Sequence, residues 1–363
     1  MIRLPPGPPQ GRLAQTVMLA RHAMATRFEL VLHGDDAIAL RAAGEEALNE
    51  IDRLENQLSL YRPGSEIAQL NARAAREAVR VTPELFALLQ HAQQLHAETQ
   101  GAFDITIAPL VRCWGFMGGT GKMPAAEQVA AARARIGMQH VQLDAPNRTV
   151  RFARAGVMFD LGAIGKGYAV SQAAEILRDG GVASALIHGG TSTIYAIGHP
   201  PEAEFWKIAI EKPPRSPNGP AAGETERPRG ADEHGLSLSE RARTGATFRS
   251  SVLATISSER WPNVVPLRDE AMSVSAVWGR FFETDGKLLG HVIDPRTGQP
   301  ANRALLTVVV LPSATETDAL STALLVLGAE GHDALSRLRP GMKTVLVTET
   351  DGAARTETRG LGL

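Results

Sequence analysis

Four stretches of the 363-residue sequence combine residue types that could act on a phosphate, a cation or a proton. In Asp160-Leu161-Gly162-Ala163-Ile164-Gly165-Lys166-Gly167 an apolar run ends in glycines just ahead of a helical pattern. Such a turn offers free backbone N–H groups to an anion, and Lys166 adds a point charge. It is not a Walker A loop, because the glycines are too closely spaced and Gly167 stands where that loop carries Ser or Thr. Nor do glycines at 162, 165 and 167 fit GxGxxG. By itself the stretch reads equally as a glycine turn with a solvated lysine.

The second stretch is Thr315-Glu316-Thr317-Asp318-Ala319-Leu320-Ser321-Thr322. Asp318 and Thr322 are four apart, so on a helix they share a face. Their hard oxygens suit magnesium and are poor ligands for zinc or copper. Thr315 and Asp318 also make a capping-box pattern, which needs no metal. The third is Gly290-His291-Val292-Ile293-Asp294-Pro295-Arg296-Thr297-Gly298, a strand that runs into a turn. There His291 could serve as a general base, or Asp294 could cap the turn with His291 beside it. In the fourth, Gly101-Ala102-Phe103-Asp104 precedes Trp114-Gly115-Phe116. This loop could hold a ring system, or be core with a satisfied aspartate.

Mixed elements must position these groups. RFELVLHG at 27–34 alternates as a strand does, and 35–60 repeats apolar residues at helical spacing. Thr82-Pro83-Glu84 starts a second helix that ends near Gly101, and Pro124 opens a third that ends by Gly137. Strands are expected at 139–143, 149–153 and 157–160. A helix follows the glycine loop, and further strands are expected at 183–190, 191–198 and 206–212. Later strands fall at 251–257, 272–278, 305–311 and 343–349, with a hairpin about Asp285-Gly286 and helices at 316–327 and from 331. The pattern is α+β rather than doubly wound. Residues 1–20 and 351–363 read as tails around a 21–350 domain. Within it, 213–250 is a Pro/Arg-rich insertion with little periodicity.

Bulk properties narrow the partners. A net charge of −1, with no long Lys/Arg run, gives no case for nucleic acid. Cys113 is the only cysteine, which excludes an internal disulfide and a thiolate metal cluster. No apolar run is long enough for a membrane span or a signal peptide, so a cytoplasmic location is expected.

Taken together and in order, six blocks resemble the FAD:protein FMN transferases, the ApbE family. They are HAMATRFEL (22–30), LSLYRPGSEIAQLN (58–71), GAFDITIAPLVRCWGF (101–116), DLGAIGKGYAV (160–170), HVIDPRTGQP (291–300) and TDALSTALLVLG (317–328). The resemblance implies an ApbE-like, T-fold-related α+β architecture of mixed sheets with packed helices. It also implies Mg²⁺-dependent transfer of FMN from FAD to a Thr or Ser hydroxyl of an acceptor protein that carries a flavinylation motif, with AMP released. On the family's pattern Met24, Tyr61, Ala102, Phe103, Asp104, Asp160, Lys166 and Val292 would bind FAD. Ala163 through its carbonyl, Asp318 and Thr322 would hold the metal; His291 is the candidate to accept the hydroxyl proton, with an aspartate as the alternative.

The sequence departs from that pattern in places. Ala163 and Gly165 replace the loop's usual glycine and alanine, Gly189-Gly190-Thr191 lacks a customary aspartate, and Ala276-Val277-Trp278 stands for a Thr-Ser-Gly segment. The last change bears on substrate positioning. It keeps two other readings open: an FAD diphosphatase, and a non-catalytic FAD-binding paralogue. Arg243-Thr244-Gly245-Ala246-Thr247 looks like the end of an acceptor motif, which makes Thr247 a candidate self-modification site.

Overall fold

The computed structural model describes residues 15–210, 264–284, 287–350 and 353–361. The insertion with Thr247, the run expected at 251–257 and the Asp285-Gly286 turn lie outside the described residues. Strands are β1 (Gln15–Ala23), β2 (Thr26–Gly34), β3 (Val79–Arg80), β4 (Val141–Asp144), β5 (Thr149–Phe152), β6 (Ser184–Gly189), β7 (Thr193–Ile197) and β8 (Trp206–Ala209). They continue as β9 (Val264–Leu267), β10 (Ala271–Ala276), β11 (Phe281–Thr284), β12 (Lys287–Gly290), β13 (Leu306–Leu311), β14 (Lys343–Thr350) and β15 (Ala353–Arg359). Helices are α1 (Ala37–Leu58), α2 (Glu66–Arg73), α3 (Pro83–Glu98), α4 (Ala108–Cys113), α5 (Ala126–Arg133), α6 (Gly165–Asp179), α7 (Ala314–Leu327) and α8 (Ala329–Ser336).

Eight strands form one antiparallel sheet in the order β1-β2-β6-β7-β10-β13-β14-β15. Period-2 alternation decides which side chains go inside. Phe28, Leu30 and Leu32 of β2 are fully buried toward the helices, while Val31 packs on the opposite face. Helices α1, α6 and α7 cover the first face. α1 contributes Leu40, Leu48, Ile51, Leu54 and Leu58, each burial favouring the fold by roughly 1.5–3 kcal/mol. The β8–β9 pair covers the other face through Trp206, Ile208, Val265 and Leu267. A smaller cluster of Leu110, Trp114, Phe116, Val129 and Ile293 supports the α4–α5 region.

Several expectations from the sequence are corrected. Residues 15–20 belong to β1, because Val17 and Leu19 alternate into the core and the strand pairs with β2. Residues 353–359 form β15, a polar edge strand held by pairing with β14 rather than by burial. Residues 157–160 are extended but join no sheet. Instead the Asn71 side chain donates to the Phe159 carbonyl at 3.0 Å and accepts from its N–H at 2.7 Å, while the Asp160 N–H donates to the Ile105 carbonyl at 2.7 Å. The N-cap of α7 is Ser313, which accepts from the Glu316 N–H at 3.2 Å, so Thr315 is not the cap. Among the described residues no helix is long and apolar enough to cross a membrane.

Candidate functional site

The glycine stretch becomes the N-terminus of α6. No side chain caps this helix, whose first residues are Gly165, Lys166 and Gly167. The cap's place is taken by the neighbouring helix α7, whose Asp318 carboxylate accepts the Gly167 N–H at 2.9 Å through Oδ2. A glycine is required here, because a Cβ at 167 would lie 2.2 Å from the Ala314 carbonyl oxygen and 2.6 Å from Asp318 Cβ. We therefore expect Gly167→Ala to pry α6 from α7 and to cost about 1–3 kcal/mol of unfolding free energy in a denaturant titration. An unchanged midpoint would show that the two helices do not meet this tightly.

Asp318 is only 4% exposed, yet no cationic side chain among the described residues pairs with it. Its other oxygen receives a long 3.5 Å hydrogen bond from Thr193. Below it lies a chain of hydroxyls: Ser273 donates to Thr193 at 3.2 Å and lies 2.8 Å from Thr317. Thr322, one turn on, donates to the Asp318 carbonyl at 3.3 Å and lies 3.2 Å from the Ser275 hydroxyl. A buried carboxylate without a counter-charge is costly, so this site favours a cation. The oxygens placed beside the α6 start are the Asp318 carboxylate, the Thr193 hydroxyl bonded to it and the Gly162 carbonyl, and oxygen groups of this kind suit a hard cation such as Mg²⁺.

The start of α7 is fixed from outside. Glu316 is paired with Arg339 at 2.8 Å, and Arg339 reaches Glu98 of α3 at 2.7 Å. The His91 hydrogen bond, with Arg339 behind it, pulls the Glu316 carboxyl down to about 2 against the opposing effect of burial. Asp318 thus projects from a helix turn clamped on two sides.

The remaining candidates fall into two groups. Asp160, Lys166, Tyr61 and His291 share one electrostatic neighbourhood. Burial raises the Asp160 carboxyl above its ordinary range, opposed by the Gly162 N–H, Lys166 and Arg280. Lys166 bends back to donate to the Gly162 carbonyl at 3.0 Å. Tyr61 is 63% exposed, and partial burial with the Asp160 charge raises its hydroxyl, against Arg280. Burial lowers the His291 imidazole, opposed by its hydrogen bond to the Arg280 carbonyl and reinforced by the Arg280 and Lys166 charges. Ala102, Phe103 and Asp104 behave differently, since all three side chains are buried. The Asp104 carboxylate accepts from the Thr106 N–H and hydroxyl, each at 2.7 Å, so it is a satisfied core aspartate. Burial raises its carboxyl, opposed chiefly by His96. This loop meets the glycine turn through the Ile105–Asp160 bond, leaving backbone as what it can offer a ligand.

Met24 occupies the tight β1–β2 turn with φ 50°, followed by Ala25 at 57°, a conformation that L-residues seldom adopt. Val292 and Ala163 are half-buried against the main core. Trp278 packs with the cluster beneath β8–β9, whereas Ser273, Ser275 and Val277 face the helices. The indole therefore lies on the far side of the sheet from Asp318. On the helix-facing side of β10 the hydroxyls are those of Ser273 and Ser275.

Sequence reasoning missed Arg280, whose carbonyl accepts the His291 N–H at 2.9 Å and faces its Nδ1 at 3.2 Å. It also missed the Ser273–Thr193–Thr317 hydroxyls. Hydroxyl residues at alternating strand positions facing an otherwise apolar helix were the available signal.

A mixed α+β protein in which a buried carboxylate docks on a glycine-led helix start, with a lysine on that turn and a neutral-leaning histidine in its electrostatic neighbourhood, has the parts of a nucleotide-handling fold. The ApbE family profile matches residues 24–231 and 247–346, and the chain belongs to that family. It is 28% identical over 354 residues to the FAD:protein FMN transferase of Klebsiella pneumoniae, covering 95% of this chain and 88% of the relative. The Escherichia coli K12 FAD:protein FMN transferase is 26% identical over 356 residues, covering 97% and 89%. Among solved structures, the apo flavinyl transferase ApbE of Pseudomonas stutzeri superimposes with a TM-score of 0.74 at 28% identity, over 96% of this chain and 98% of that one. The ApbE protein of Thermotoga maritima gives 0.74 at 25% identity, over 94% and 96%.

Proposed function

We propose that this chain is an FAD:protein FMN transferase that moves the FMN half of FAD onto a Thr or Ser hydroxyl of an acceptor protein. The acceptor oxygen forms a new bond to the FMN phosphorus, the anhydride P–O bond breaks, and AMP leaves with the bridging oxygen. The single observation that carries this reading is the buried Asp318 carboxylate, without a cationic partner among the described residues, docked on the glycine-led start of α6. Ala163 through its carbonyl, Asp318 and Thr322 would hold Mg²⁺, which when bound neutralises charge on the diphosphate. Around it, Lys166 grips the phosphates and steadies the charge that builds on their oxygens. His291 takes the acceptor's proton at Nε2, leaving the hydroxyl oxygen free to attack.

The backbone of Ala102–Asp104, with Met24, Tyr61, Asp160 and Val292, frames the flavin and ribityl side of the site. Names of the relatives support the reaction class, and the local charge pattern supports the roles. Incubating the protein with FAD, Mg²⁺ and an acceptor protein bearing a flavinylation motif should add one FMN, less water, to the acceptor's intact mass. Free FMN and AMP with an unmodified acceptor would instead make the chain a diphosphatase. FAD that survives unchanged would make it a binding protein.

A further inference from the structure

Arg280 lies outside all six resembling blocks, yet it touches the histidine strand twice and the Trp114–Gly121 loop twice. Its carbonyl accepts the His291 N–H at 2.9 Å and faces Nδ1 at 3.2 Å. Its guanidinium Nη2 donates to the Phe116 carbonyl at 2.6 Å and the Gly119 carbonyl at 2.8 Å. The Phe116 ring in turn meets the imidazole edge-on, with centroids 6.4 Å apart and planes at 73°. Phe282, two residues on, closes the ring of contacts by packing on Phe116 at 5.8 Å. The side chain is exposed, so this is a surface tie around one imidazole and not part of the core.

We propose that Arg280 is the positioning residue for His291, its carbonyl selecting the tautomer and its guanidinium holding the Phe116 loop against the imidazole. A carbonyl can only accept, so Nδ1 must carry the hydrogen and Nε2 must present a lone pair. That is the form a general base needs. The charged groups facing His291 are Arg280 itself and Lys166 of α6, and Phe116 is its uncharged neighbour. Burial lowers the imidazole first, the hydrogen bond to the Arg280 carbonyl opposes it, and the charges of Arg280 and Lys166 lower it further. Arg280 thus sets both where the lone pair points and how far into acid it persists.

This inference rests on His291 being the base, so the test separates the two. Arg280→Met removes charge and tie, whereas Arg280→Lys keeps charge without the planar fork. With FAD, Mg²⁺ and acceptor protein, R280M should lower kcat about 10-fold or more, within the reach of one misplaced base, while FAD Kd stays within about threefold. Its acidic limb of log kcat should move to higher pH, because removing a cation lets the imidazole protonate sooner. R280K should keep the wild-type limb and recover only part of kcat. NMR titration of the His291 Cε1–H in ligand-free protein reads the same shift without turnover, so it holds even if the chain transfers no FMN. An imidazole that titrates alike in R280M and wild type would overturn the proposal. So would equal losses of kcat and FAD affinity in both variants, which would make Arg280 a purely structural tie.

Discussion

Converting Asp318 to asparagine lowers FMN transfer by about 100- to 10,000-fold at saturating FAD and leaves the fold in place. The substitution separates two duties that one carboxylate performs. Its first duty is to accept the Gly167 N–H at 2.9 Å, and an asparagine carbonyl does this as well. The Thr193 hydroxyl, 3.5 Å from the other oxygen, can turn to accept from the amide, so the α6–α7 contact survives. Its second duty is to supply negative charge in a spot that is 4% exposed and without a cationic side chain among the described residues. Asparagine cannot do that. The measurement is the Mg²⁺ dependence of transfer: the half-saturating concentration should rise at least about tenfold, since a carboxylate is the only charged donor proposed. A variant with wild-type rate and Mg²⁺ dependence would reduce Asp318 to a helix cap supplied in trans.

That double duty explains why the local sequence left Asp318 ambiguous. Read alone, Thr315 and Asp318 looked like a capping box, and a cap was indeed part of the answer, but for a different helix. The α7 cap is Ser313, while Asp318 caps α6, 151 residues earlier in the chain. Nothing in a window of ten residues announces a hydrogen bond across that distance. The resemblance of ordered blocks raised the second reading because it places Asp318 opposite the glycine loop.

Legibility elsewhere followed the same physics. Strands whose buried residues alternate with polar ones, such as β2, and helices with a continuous apolar stripe, such as α1, were readable because burial imposes the period. β15 was not, since an edge strand of Arg, Thr and Glu is held by backbone pairing and has no apolar period to show. Val157–Asp160 misled in the opposite direction: its apolar run is buried, but its backbone is satisfied by Asn71 and Ile105 instead of a neighbouring strand. Within the site, residues that carry charge or a proton were legible by type. Arg280 was not, because its contribution runs through a carbonyl and through a loop brought near only by folding.

Removing the imidazole is the complementary test, and its effect falls on the proton rather than on the phosphate. His291→Ala should cut transfer about 100- to 10,000-fold, the usual worth of a positioned general base, while FAD Kd changes less than about threefold. Binding should persist because Lys166, proposed to grip the phosphates, lies on another element. The sign of the pH dependence follows from the folded-state shift. Burial, assisted by Arg280 and Lys166, lowers His291 from 6.5, so the neutral imidazole dominates at pH 7 and transfer is lost only as pH falls below that ordinary value. The same shift makes the folded protein a weaker proton binder at His291 than the unfolded chain. This residue's contribution therefore destabilises the fold as pH falls through 6.5, and His291→Gln should soften that loss while abolishing transfer. His291→Ala that transfers FMN at the wild-type rate, with the wild-type acidic limb, would move the base to another residue. The raised Asp160 carboxyl, in the same electrostatic neighbourhood, would then be the group to replace next.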